Sequence, residues 1–200
     1  MQLPTVSLIV ASTRTRRFAD LPLAWLRERL GARADLSLDV LDLREHPLPF
    51  FDQPKPPAWN RRAYANEAEA TVGRSLDAAD GFIVLTNEYN HGYSAALKNL
   101  LDTFFVEFQH KPIGFVGYGN VGGSRAIEQL RLVAAELDMV SVRTSVHILG
   151  HQMRQLAEHP DTRETVWEGL EPRLELMTDD LLWWANALAP AREEDDALAS

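Results

Sequence analysis

Apolar positions along the chain gather into five short runs, and the segments between them repeat at helical spacing. Thr5 to Ala11 is nearly continuous in apolar and β-branched residues, the pattern of a strand covered on both faces. Asp20 to Ala34 follows as a helix, with Leu23, Leu26 and Leu30 on one side, Pro22 in its first turn and Gly31 near its end. Leu36 to Leu43 alternates apolar and polar residues, as a strand near a sheet edge does. A connector from His46 to Trp59 carries five prolines, which exclude helix and central strand; its length points to packing on the surface, beside a substrate or a second subunit or as a plain link. Asn60 to Ala79 reads as a helix, Gly81 to Thr86 as a buried strand, and Ser94 to Phe108 as a helix capped by Ser94. Pro112 to Val116 is the fourth strand, Ser124 to Leu137 an amphipathic helix, and Met139 to Leu149 the fifth strand. Asp161 to Leu188 is the last helical stretch, with a break expected near Gly169 and Pro172.

Strands separated by helices at every step imply parallel pairing, with helices on both faces of one sheet. In such sheets a ligand sits where the strands end, at the switch point. Three loops with chemistry in them follow the first, third and fourth strands, so all three fall at that edge.

The first loop is Ser12-Thr13-Arg14-Thr15-Arg16-Arg17. Hydroxyls, guanidiniums and a helix N-terminus within six residues can hold a phosphate, although a solvated basic turn has the same composition. The second, Asn87 to Tyr93, offers a carboxylate, amides and aromatic rings suited to a planar heterocycle, although an ordinary capped turn is also consistent with it. Glu88 and His91 form a conceivable acid–base pair that the spacing does not demand. The third loop matches G-x-G-x-x-G at Gly117, Gly119 and Gly122, with Asp138 as a possible ribose carboxylate. A dinucleotide fingerprint belongs after the first strand, however. These glycines are read instead as a tight turn, or as a platform that a flat ring approaches closely.

Composition narrows the picture. With 200 residues, 46% hydrophobic and 24% charged, the chain is expected to be a single domain over residues 1–190, with Glu193-Glu194-Asp195-Asp196 in a frayed, disordered tail over 191–200. A net charge of −9 argues against a diffuse nucleic-acid surface. The absence of cysteine removes disulfides, thiolate catalysis and cysteine metal sites, so redox chemistry needs a bound cofactor. No metal site, leader or membrane-length apolar run is read, and the cytoplasm is the expected location.

A phosphate cradle, a polar loop and a glycine platform at one sheet edge describe a flavin mononucleotide pocket. The run Asn87-Glu88-Tyr89-Asn90-His91-Gly92, followed by Ser94-Ala95-Ala96-Leu97-Lys98-Asn99-Leu100-Leu101-Asp102, resembles the signature of the NADPH-dependent FMN reductase family, which includes quinone, azo and chromate reductases. Ser12-Thr13-Arg14 with Arg17, and Tyr118-Gly119, Gly122-Gly123 and Arg125 to Arg131, resemble its other two loops; the likeness runs from Val6 to Ile148. Ala11, Thr15-Arg16 and Asn87 depart from it, standing where a glycine, a Pro-Gly-like pair and a proline are usual.

The resemblance implies an α/β flavodoxin-like fold, a doubly wound five-stranded parallel sheet in the order 2-1-3-4-5. It implies that Ser12, Arg14 and Arg17, assisted by Thr15 or Arg16 and flanked by Phe18, hold the FMN phosphate. Glu88, Tyr89 and Asn90, with His91 and Gly92, line the isoalloxazine and ribityl region, largely through backbone groups. Tyr118, Gly119 and Gly122, with Gly123, flank the pyrimidine end of the ring. No side chain is expected to act as nucleophile or acid; NADPH or NADH reduces FMN, leaves, and a small acceptor takes its place. The family pairs as dimers around the helix after the second loop, so a homodimer or tetramer is expected, with Phe104, Phe105 and Phe108 as contact or core residues. The rival readings are a non-enzymatic flavin carrier, a nicotinamide-dependent Rossmann dehydrogenase and a flavin-free interaction module.

Overall fold

A computed structural model describes residues 3–60 and 62–199, apart from the side chains at 193 and 195–199. The elements run β1 (Thr5–Val10), α1 (Asp20–Gly31), β2 (Ser37–Asp42), α2 (Pro57–Asn60), α3 (Glu67–Ala78), β3 (Gly81–Asn87), α4 (Ala95–Thr103), β4 (Pro112–Tyr118), α5 (Ser124–Glu136), β5 (Val140–Ile148), α6 (Gly150–Glu158), a 3-10 turn (Pro160–Thr162) and α7 (Arg163–Ala199). The five strands form one sheet in the order β2-β1-β3-β4-β5, with every pair parallel. This is the flavodoxin-like α/β arrangement expected.

Side-chain alternation along the inner strands builds two cores. Val6, Leu8, Val10, Ile83, Leu85 and Val116 meet α1, α6 and α7 on one face. Ile9, Phe82, Val84, Ile113 and Phe115 meet α3, α4 and α5 on the other. All residues of β3 and β4 are buried, as strands covered on both faces must be. β2, at the edge, is buried only at Leu41 and Asp42. Trp25 of α1 and Trp167 of α7 stack with centroids 4.9 Å apart, joining the helices of the first face.

Several boundaries differ from the sequence expectation. The helix expected from Asn60 starts at Glu67. Asn66 caps it by accepting from the Glu69 amide at 2.9 Å, while the Glu69 carboxylate accepts from the Ala65 amide. The connector, expected to hold no helix, contains α2; its first residue is Pro57, where a missing N–H costs nothing. α4 stops at Thr103, and Phe104 and Phe108 are buried in the chain's own core. α7 runs unbroken through Gly169 and Pro172, because Leu170 and Leu174 on either side are locked into the first core and packing outweighs the lost hydrogen bond. α6 forms between Leu149 and Asp161, where the sequence pattern predicts no element. α7 continues into the acidic segment expected to fray; most side chains there, and Ser200, lie outside the described residues.

β5 forms the other edge. It advances four positions from Ser141 to Ser145 where β4 advances two from Ile113 to Phe115, so it bulges. Arg131 of α5 fills the bulge. Its guanidinium donates to Val142 O at 2.7 Å, Arg143 O at 3.0 Å, and the hydroxyls of Ser141 and Ser145. No helix among the described residues is long and apolar enough to cross a membrane.

Candidate functional site

From the adjacent strands β1 and β3 the chain leaves to opposite faces, into α1 and α4, so a crevice opens between them at their carboxyl ends. Three contacts tie its walls together. Ser94 donates to Ala11 O at 2.8 Å and accepts from the Leu97 amide, so the α4 cap also anchors the end of β1. The Glu88 amide donates to Tyr118 O at 3.2 Å. Gln129 of α5 donates to His91 O at 3.0 Å.

The loop after β1 divides into an inward half and an outward half. Arg17 turns inward. Its guanidinium donates to Ser12 O at 2.5 Å, pairs in bidentate fashion with the Asp42 carboxylate, and reaches Asp20 through Nε at 2.9 Å. The side chain is 1% exposed. Where an open phosphate ligand was expected, the structure has an internal strut that shapes the loop. Thr13, Arg14, Thr15 and Arg16 face outward and are exposed. Their backbone N–H groups donate to no acceptor among the described residues, and Arg14 and Arg16 make no ion pair there. Ser12 lies beneath, 1% exposed, with its hydroxyl lacking a completed hydrogen bond. Unpaired amides, two free guanidiniums and a buried hydroxyl are the donor set a phosphate takes.

Arg16 occupies the left-handed region at φ 54°, the position where the resembled loop carries the glycine of its Pro-Gly-like pair. That conformation costs a non-glycine residue about 1 kcal/mol. Arg16→Gly is therefore expected to stabilise the fold by up to about 1 kcal/mol, read as a higher thermal midpoint.

The loop after β3 contains a tight reverse turn. Tyr89 and Gly92 exchange backbone hydrogen bonds at 2.8 and 2.9 Å, with Asn90 (φ 49°) and His91 (φ 68°) at its corners. The amides of Asn90 and His91 donate to nothing among the described residues, so they are available to a ligand. The Glu88 carboxylate is engaged elsewhere: it accepts from the Arg125 amide and guanidinium at the start of α5, at 3.1 and 2.6 Å. It caps that helix and makes no hydrogen bond to His91.

The glycines of the third loop answer to the protein's own packing. A Cβ on Gly117 would stand 2.6 Å from Gly122 O, one on Gly122 2.7 Å from His147 Cβ, and one on Gly123 2.9 Å from Gly117 Cα. The loop is folded back against β4 and β5, and His147 Nδ1 lies 2.9 Å from Gly122 O. Gly119 is the looser member, nearest Glu88 Cβ at 3.3 Å. Asp138 precedes β5 at the opposite edge of the sheet, bonded to Gln109, so it cannot serve a ribose held by this loop. The dinucleotide fingerprint is thus a coincidence of spacing. Tyr118 is 5% exposed, with its ring 5.2 Å from Phe18. Burial pushes its phenol up to about 12, partly offset by neighbouring Ser12, Arg17 and Arg14.

The proline-rich connector borders the same edge. Asn99 of α4 holds it, accepting from the Phe51 amide at 2.9 Å and donating to Pro49 O at 2.8 Å. Between them lies a cavity of about 360 Å³ lined in part by Thr13, Pro47, Leu48, Phe50 and Ala96. The Ala95-to-Asp102 motif therefore contains a tether as well as a helix, which its spacing alone did not reveal.

Comparison with known proteins identifies the family. Residues 4–153 match the model of the NADPH-dependent FMN reductase family. An NAD(P)H-dependent FMN reductase of Schizosaccharomyces pombe is 34% identical over 136 residues, 68% of each chain. Another, of Saccharomyces cerevisiae, is 32% identical over 143 residues, 67% of this chain and 75% of its own. In fold, the chain is similar to a flavoenzyme NAD(P)H:(acceptor) oxidoreductase of Paracoccus denitrificans, with a TM-score of 0.66 at 18% identity over 93% of this chain and 99% of that one. With three sequence-marked loops gathered at the switch point of a 2-1-3-4-5 sheet and the family model matched across them, this chain belongs to the NADPH-dependent FMN reductase family of oxidoreductases.

Proposed function

We propose that the crevice binds FMN with its phosphate on the outward half of the first loop and its ring between the second and third. The carrying observation is the donor set at Thr13 to Arg16, exposed and with backbone amides that meet no acceptor among the described residues, above the buried Ser12 hydroxyl. Bound FMN would accept hydride from NAD(P)H and return electrons to a small acceptor such as a quinone, a free flavin, an azo or nitro compound, or a metal oxyanion. The chain's own part is to hold and orient. Arg14 and Arg16 neutralise the phosphate, the Asn90 and His91 amides offer donors to the ring, and the packed glycine loop closes its far end.

An absorbance spectrum of the purified chain, before and after anaerobic NADPH, tests this reading. A yellow protein that bleaches supports it; a colourless chain that takes up no added FMN ends it. Arg14→Ala is expected to raise the FMN Kd about tenfold, the value of a charge-assisted hydrogen bond. Its thermal midpoint should not move, because Arg14 makes no ion pair among the described residues. Unchanged affinity would contradict the phosphate assignment. The same reading pairs two copies around α4, where the connector exposes Phe50 and Trp59; sedimentation gives the oligomeric state.

A further inference from the structure

At the root of the second loop, Asn87 is 1% exposed, and both of its amide atoms are buried without a hydrogen-bond partner. It is the one amide side chain in that condition among the described residues. Its position in the sheet is informative. The ladder pairs Asn87 with Tyr118 on one side, and continuing the Val10–Leu85 pairing by two residues brings Ser12 level on the other. Alternation sends the side chain at 87 to the face of Leu85 and Val116, the face where Tyr118 packs on Phe18. Two neighbouring strand tips, about 4.8 Å apart, thus end in polar side chains whose hydrogen bonds the protein leaves incomplete.

We propose that the Asn87 amide is kept for the ribityl chain of FMN. The inference rests on the FMN reading above. With the phosphate on the loop after β1 and the ring between the loops after β3 and β4, the part of the cofactor that crosses from one tip to the next is the polyol. Each of its hydroxyls both donates and accepts, and so does a free carboxamide. Asn87 is then a positioning residue that selects flavins by their side arm. The β3 backbone is fixed at this rung by its ladder to Tyr118, so the amide reaches the polyol by side-chain rotation.

The test uses Asn87→Leu, which keeps the branching at Cγ but is bulkier, with Asn87→Ala as a second variant should the first fail to fold. Titrations with FMN, riboflavin and lumiflavin, which lacks the polyol, are followed by flavin fluorescence, and thermal midpoints are measured without flavin. Leucine removes the buried unpaired amide, so the flavin-free midpoint is expected to hold or rise by roughly 2–4 °C. The Kd for FMN and for riboflavin is expected to rise about tenfold, equivalent to about 1.4 kcal/mol, with that for lumiflavin unchanged. Equal losses for all three flavins would place the contact on the ring and overturn the assignment. So would unchanged FMN affinity, or a midpoint that falls in both variants in step with affinity, as a purely structural amide requires. If the unaltered chain binds no flavin at all, the FMN reading itself fails, which is a separate result.

Discussion

Arg17→Met is expected to destabilise the protein by about 3–5 kcal/mol, the usual cost of removing one partner from a buried ion pair. Asp42 would remain 7% exposed with its bidentate partner gone, and Ser12 O would lose its donor. Chemical denaturation at neutral pH measures the effect. A change below about 1 kcal/mol would mean that the strut does not hold the loop. The pH dependence carries a signature. Burial alone would raise the Asp42 carboxyl; the Arg17 guanidinium outweighs it and, with the Arg44 amide, holds the group below its ordinary range. A carboxyl depressed by folding contributes stability that is complete above its unfolded value near pH 4, and that is lost as pH falls through the lower folded value. In the intact protein part of the acid unfolding therefore comes from Asp42. In Arg17→Met that share should shrink, because the carboxyl no longer has its counter-charge.

The second large effect is expected from Gly123→Ala, at about 3 kcal/mol or more. Two costs add. The residue sits at φ 70°, which disfavours a side chain, and the new methyl would meet Gly117 Cα at 2.9 Å and Tyr118 N at 2.9 Å. Both obstacles are backbone, which yields less readily than a side chain. If the proposed FMN site is right, loss of flavin affinity should accompany the loss of stability, since Tyr118 and Gly119 lie on the same turn. Gly169→Ala is the natural control: a Cβ there meets nothing within 4 Å, and alanine favours a helix. If Gly123→Ala proves as harmless as the control, the loop is looser than its geometry indicates.

The alternation of strand and helix was legible because each buried strand is a continuous apolar run, as in Phe82 to Leu85. That pattern, with the helices between, fixes parallel pairing and hence the edge where the loops collect. The Ser94 cap was legible for a similar reason, as a local rule satisfied locally. What escaped depends on partners distant in sequence. Arg17 reads as an open cation until β2 places Asp42 beside it, 25 residues on. The glycines read as room for a ring until the fold shows the chain itself filling that room. Pro172 reads as a break because sequence shows the lost hydrogen bond but not the buried leucines that hold the helix together. The start of α3 could have been found: Asn66 and Glu69 stand three apart, the spacing of a reciprocal cap.

The Arg131 guanidinium in the β5 bulge has a consequence for the molecule in company. An edge strand with bare carbonyls is a template on which a stranger's strand can add, and sheets left open in that way seed aggregates. Here two carbonyls of β5, at Val142 and Arg143, are already occupied from within, and the bulge interrupts the regular spacing of the strand. The rim farthest from the loop after β1 thereby offers a poorer template for strand addition than a flat, unoccupied edge would.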